Sequence, residues 1–171
     1  MKILKIIAGV FVLALLGLAL FAYKGELPAH EVDAKYSSET SQFFTMDNGA
    51  RVHFRDEGNS NGRALVLVHG SNASLHTWEP WLALLGDKYR VITMDLPAHG
   101  LTGAVPDKQY GSQAQVKTVD AIVRHLGVER FVLGGNSMGG GVTWRYTLAH
   151  PEKVEAMLLI DSSGLPQFRN T

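Results

Sequence analysis

Glu129 to His150 reads ERFVLGGNSMGGGVTWRYTLAH, and the fold turns on this stretch. Phe131-Val132-Leu133 is a short apolar run suited to a buried parallel strand. It enters a glycine-crowded turn at 134–141, after which a helical pattern begins. Within the turn Gly135, Ser137 and Gly139 satisfy G-x-S-x-G, the spacing that holds a serine on a strained strand-to-helix bend with its hydroxyl exposed. Glycines on either side have no Cβ, so strand and helix can approach each other closely around the serine. The helix that follows directs its free N–H groups and positive dipole end at the place where an oxyanion forms during acyl transfer.

Outward from that bend, apolar runs alternate with helical patterns. Upstream, Gln42–Met46 and Arg51–Asp56 are strand candidates around Asp47-Asn48-Gly49, a hairpin signal, with Val52 and Phe54 on the buried face and His53 on the other. Ala64–Val68 is an apolar strand that ends in His69-Gly70-Ser71-Asn72. Leu75–Leu85, with Trp78 and Trp81, has the spacing of an amphipathic helix. Arg90–Met94 reads as a strand ending at Asp95-Leu96-Pro97-Ala98-His99-Gly100, and Gln113–Leu126 as a helix stopped by Gly127. Downstream, Val154–Ile160 is a further apolar strand leading to Asp161. Strands alternating with helices predict an α/β fold, with a mostly parallel sheet and helices on both faces.

The N-terminus differs in kind. Ile6–Tyr23 carries no charge, with Lys2 and Lys5 before it and Lys24 and Glu26 after it. This predicts a transmembrane anchor over residues 1–24, its lysine-rich end cytoplasmic and the remainder extracytoplasmic. A cleaved signal segment, with Gly17 and Ala19 before the cut, is the alternative and would give a secreted protein. Residues 25–41 read as a polar linker, and residues 42–171 as the domain.

The 171 residues carry formal charge zero and no cysteine, which excludes disulfides, thiolate metal sites and thiol catalysis and gives no basic excess for nucleic acid. No metal or organic cofactor is required by the chemistry that the bend suggests.

Together these residues resemble the α/β-hydrolase fold superfamily from about Gln42 onward. The landmarks fall in its order: His69-Gly70 after the third strand, Asp95–Gly100 after the fourth and Ser137 after the fifth. Gly135-Asn136-Ser137-Met138-Gly139-Gly140 is similar to the ester and carbon-carbon bond hydrolases of the superfamily, and serine at the bend argues against the dehalogenases and epoxide hydrolases, which generally carry aspartate. The resemblance implies that Ser137 is the nucleophile and that the backbone N–H groups of Ser71 and Met138 form the oxyanion hole. It implies an ester or related carbonyl substrate, with perhydrolase or acyltransferase activity as variants of the same chemistry. A catalytically silent, membrane-tethered binding module is the reading from a different class.

The superfamily order is serine, acid, histidine, so His69, His76 and His99 come too early for the triad base. His69 is expected to order the oxyanion loop and His99 to brace its own turn; His125 is expected at a solvated helix end. Only His150 follows Ser137, at a helix end before Pro151 that is a surface terminus in the resembled enzymes. Asp161 stands where some members carry the triad acid, and Asp95 is expected to be a loop residue. About six of the superfamily's eight strands are present and ten residues follow Asp161. The expectation is therefore the front part of a longer hydrolase without its cap, last strands and triad histidine, leaving Val154–Ile160 as an uncovered apolar edge.

Overall fold

The computed structural model describes residues 2–23, 25 and 27–164. Lys24 and Glu26, expected to flank the apolar segment, and residues 165–171, assigned to the domain's end, lie outside them. The chain divides into two units, Met1–Lys35 and Tyr36–Thr171.

In the first unit, α1 (Lys2–Ala22) is a single helix with no buried residue. Its 21 residues make it long and apolar enough to cross a membrane. The expected linker is not wholly irregular, because Ala29–Tyr36 forms α2. Glu31 in its first turn and Lys35 in its last complement the helix dipole, a charge order that stabilises a short helix lacking an apolar stripe.

The second unit is built on one six-stranded sheet in the order β1-β2-β4-β3-β5-β6. The strands are β1 (Ser41–Thr45), β2 (Arg51–Gly58), β3 (Arg63–Val68), β4 (Tyr89–Met94), β5 (Phe131–Asn136) and β6 (Val154–Ile160). β1 and β2 are antiparallel, as are β2 and β4; the pairs from β4 through β3 and β5 to β6 are parallel. The hairpin closes where Gly49 (φ 79) donates its N–H to Met46 O at 2.8 Å, while Met46 N–H donates to Ala50 O at 2.9 Å.

Two apolar layers cover the sheet. On one face α4 (Ser112–His125) and α5 (Met138–Ala149) bury Val119, Ile122, Val142 and Tyr146 against Val66, Ile92, Phe131 and Leu133. On the other, Trp78, Trp81, Leu82 and Leu85 cover Leu65, Leu67, Val91 and Val132. The single helix expected over Leu75–Leu85 is a 3-10 turn (Leu75–Trp78) followed by α3 (Glu79–Leu85), because Pro80 at the start of α3 has no N–H to continue the ladder upstream. In β2, Val52 and Phe54 share the larger core as expected, and His53 and Arg55 on the other face are buried too. Tyr146 Oη donates to Asp120 Oδ1 at 3.0 Å and Lys153 Nζ to the same oxygen at 2.8 Å, joining α5, α4 and the entry to β6.

β6 is the outermost strand and its apolar residues are open. Met157, Leu158 and Leu159 are 44%, 37% and 37% exposed, as the expectation of an uncovered apolar edge requires.

Candidate active site

Ser137 sits between the last residue of β5 and the first of α5 with φ 51 and ψ −113, a backbone conformation that L residues rarely adopt. The surroundings hold it there. Its N–H donates to Ile160 O at 2.9 Å, and its carbonyl accepts from Ser163 N–H at 2.9 Å and Gly141 N–H at 3.1 Å. The motif glycines permit the close crossing: a Cβ at Gly139 would lie 2.1 Å from Val68 O, and one at Gly135 would lie 2.3 Å from Gly139 C. The serine is half-buried, and its Oγ makes no hydrogen bond to any described residue.

The loop after β3 reaches the same point. A Cβ at Gly70 would stand 3.3 Å from Ser137 Cβ, and Ser71 Oγ donates to Met138 Sδ at 3.5 Å, so the two residues expected to supply oxyanion donors are neighbours across the bend. Gln115 of α4 also reaches Met138, its Nε2 3.3 Å from Sδ, and is 7% exposed. Sequence reasoning passed over Gln115. Its signal was a polar residue one helical turn before Val119 on the apolar stripe of α4.

His69 is fully buried with both ring nitrogens engaged. Nδ1–H donates to Gly70 O at 2.7 Å and Nε2 accepts from Leu96 N–H at 3.1 Å, an arrangement that fixes the tautomer. Burial pulls its pKa below the ordinary 6.5, against the opposing pull of the Gly70 carbonyl and the Asp95 charge. The ring therefore braces the loop in its neutral form. His99 Nδ1–H donates to Pro97 O at 2.9 Å within its own turn, and His125 is exposed, with its ring 4.4 Å from that of Phe44.

His53, expected to be structural, pairs with Asp95 at 2.7 Å in the interior. Burial raises the Asp95 pKa, but hydrogen bonds from His53 and from the Leu75 and Leu101 amides outweigh it and leave the carboxyl below its ordinary 3.8. His76 pairs with Glu79 at 2.7 Å, and His150 caps α5 with its ring 4.7 Å from that of Tyr146. None of the seven histidines, all within the described residues, bonds to Ser137 Oγ.

Asp161 lies just beyond the Ile160 carbonyl that holds Ser137, at φ 46, exposed and without a hydrogen-bond partner among the described residues. A cavity of about 670 Å³ opens elsewhere, between the β1–β2 hairpin and α4, lined by Phe44, Met46, Ala50 and Lys117. Among the described residues no cluster of three or more metal-ligating side chains occurs.

Comparison with known proteins identifies the family of the chain. An uncharacterized hydrolase of Bacillus subtilis is 36% identical over 121 residues, covering 71% of this chain and 44% of the relative. The 2-hydroxymuconate semialdehyde hydrolase of a Pseudomonas species is 31% identical over 120 residues, covering 68% and 42%. Among solved structures, a membrane phospholipase A superimposes with a TM-score of 0.71 at 26% identity over 100% of this chain and 55% of its own. A hydrolase from Pseudomonas aeruginosa superimposes with a TM-score of 0.70 at 26% identity, covering 77% of this chain and 49% of its own. The chain thus spans less than half the length of both curated relatives. The family profile described as alpha/beta hydrolase fold matches residues 63–170, which contain both the His69-Gly70 loop and the Ser137 bend; the chain belongs to the α/β-hydrolase family.

Proposed function

We propose that Ser137 is the nucleophile of a hydrolase that acts on an ester or related carbonyl compound through an acyl-enzyme. The observation that carries this reading is the strained, half-buried serine with an unengaged Oγ at the mouth of α5, beside the Gly70-Ser71 loop. A base takes the Ser137 proton as Oγ attacks the carbonyl carbon. The resulting oxyanion is held by the Ser71 and Met138 amides, and collapse expels the leaving group with a proton from the base. Water, activated by the same base, then releases the acid and restores the serine.

Residues 1–171 have no histidine bonded to Ser137, so by themselves they turn over little or no substrate. The relatives named as 2-hydroxymuconate semialdehyde hydrolase and 2-hydroxy-6-oxononadienedioate hydrolase support a 2-hydroxy-6-oxo-dienoate type of carbonyl compound as one member of the substrate class. The α1 helix, together with the membrane phospholipase A among structural neighbours, supports an anchored enzyme whose domain works on the extracytoplasmic side. The second reading is a silent tethered binding module, against which the strained Ser137 bend and its glycines stand.

The first of two measurements tests the predicted inactivity, and the second separates the two readings. In the first, nitrophenyl ester hydrolysis by the purified chain stays near the Ser137→Ala background; enzyme-like turnover that disappears in Ser137→Ala would contradict the predicted inactivity. In the second, a fluorophosphonate probe with imidazole added as an external base labels Ser137 and leaves Ser137→Ala unlabelled. An unlabelled wild-type chain favours the binding module.

A further inference from the structure

The segment between β3 and the 3-10 turn carries one of the two proposed oxyanion donors, yet it has no regular structure of its own and includes Asn72 at φ 54. Its ends are fixed by side chains. His69 ties the upstream end to Gly70 O and Leu96 N–H. At the downstream end, Leu75 N–H donates to Asp95 Oδ1 at 2.8 Å in the interior.

The rest of the Asp95 carboxylate is equally committed. Oδ2 accepts from Leu101 N–H at 2.8 Å and from His53 Nδ1–H at 2.7 Å; His53 Nε2 then accepts from Ser41 Oγ–H at 2.8 Å. Ser41 Oγ itself accepts from Ser38 N–H at 3.0 Å, which extends the line to the segment before β1. Ser41, His53 and Asp95 have the connectivity of a serine-histidine-carboxylate triad, but the arrangement has a different purpose. His53 is wholly buried and Asp95 is 1% exposed, and the carboxylate spends its remaining acceptor capacity on two loop amides.

We propose that Asp95 is a positioning residue for acyl transfer: by anchoring Leu75 N–H it sets the aim of the Ser71 amide at Ser137, while His53 holds the carboxylate in that orientation. The inference rests on the acyl-enzyme reading of Ser137. A buried acceptor oxygen fixes a loop amide at a single distance, and a donor misplaced by about 1 Å loses much of its value to the transition state.

Hydrogen exchange of the whole 171-residue chain in detergent tests this, together with fluorophosphonate labelling of Ser137 in the presence of imidazole. Asp95→Asn offers one acceptor oxygen to three donors. It is expected to speed exchange of the 70–76 amides at least tenfold while β5 and α5 stay protected, and to slow labelling ten- to a hundredfold. Thr102→Val is the control: it removes the hydroxyl that joins Asp95 O and His53 N–H without touching the carboxylate, and is expected to leave both readouts within threefold.

Should Asp95→Asn fail to fold, Leu75→Pro against Leu75→Ala isolates the same hydrogen bond. Both lose the leucine side chain, only the first loses the donor, and Ser74 already has the extended backbone that a following proline requires. The expectation is fast 70–74 exchange in Leu75→Pro alone. Unchanged loop exchange in Asp95→Asn, or equal exchange in the two Leu75 variants, overturns the anchoring role. Loosened loop exchange with unchanged labelling overturns the positioning role. A wild-type Ser137 that never labels defeats the acyl-enzyme reading instead, and the exchange result still decides the anchor.

Discussion

β5 and β6 are neighbouring parallel strands of similar apolar character, yet they have opposite environments. In β5 the first five residues are buried, and Phe131 and Leu133 are 0% exposed beneath α4 and α5. In β6 only the two ends are partly buried and the middle five residues are exposed. Apolar sequence makes a strand willing to be covered, but covering needs a partner layer. Around β5 the helices supply it. At the outer flank no described residue does. The Ser137 bend is consequently carried on a covered strand, next to an outermost strand that is apolar and open.

The contrast can be broken most severely from the sealed side. Phe131→Ala should destabilise the domain by about 3–5 kcal/mol in urea titration, since it empties a fully buried ring site against Tyr146. A value under about 1 kcal/mol would mean that β5 is not the sealed strand described. Gly139→Ala should cost about 3 kcal/mol, because its methyl would meet Val68 O, a backbone atom that cannot step aside cheaply. Melting temperature reads this directly, and a melt equal to wild type would remove close packing as the reason for that glycine.

A smaller effect concerns acid. The His69 pKa is depressed in the folded state, so the unfolded chain binds a proton first as pH falls below about 6.5, and the stability present above that value is lost toward the lower folded pKa. Asp95, also depressed, adds a second loss only below about 3.8. Melting temperatures between pH 7 and 5 should therefore fall, and His69→Gln should flatten the curve; parallel curves would remove His69 from the account.

The smallest effect belongs to the open strand. Met157→Lys should change stability by less than about 0.5 kcal/mol and reduce concentration-dependent association seen by light scattering, since a charge on an exposed edge strand opposes edge-to-edge pairing.

The sheet and the Ser137 bend were legible in the sequence because each rests on a local signal: apolar runs of strand length, an Asn-Gly turn, and glycines at a fixed spacing around one serine. The split of the Leu75–Leu85 segment was written in Pro80 but lost beneath the periodic tryptophans. α2 escaped because eight residues with balanced charge show no apolar stripe. What no local pattern conveys is pairing across the fold. His53 and Asp95 are 42 residues apart and Gln115 and Met138 are 23 apart. Each pair meets only after the sheet order is set, so a histidine readable as structural gave no sign of the carboxylate it would hold. The proximity of Ser71 to Met138 was anticipated through family likeness, not from spacing.

The backbone of Ser137 is moored to the chain at and just beyond the outer strand. Ser137 N–H reaches Ile160 O, and Ser163 N–H returns to Ser137 O. Fraying at the sheet's margin would therefore slacken the Ser137 backbone. The deuterium uptake of that one serine amide is a gauge of how firmly the margin is seated, and anything that settles on the last strand would register there first.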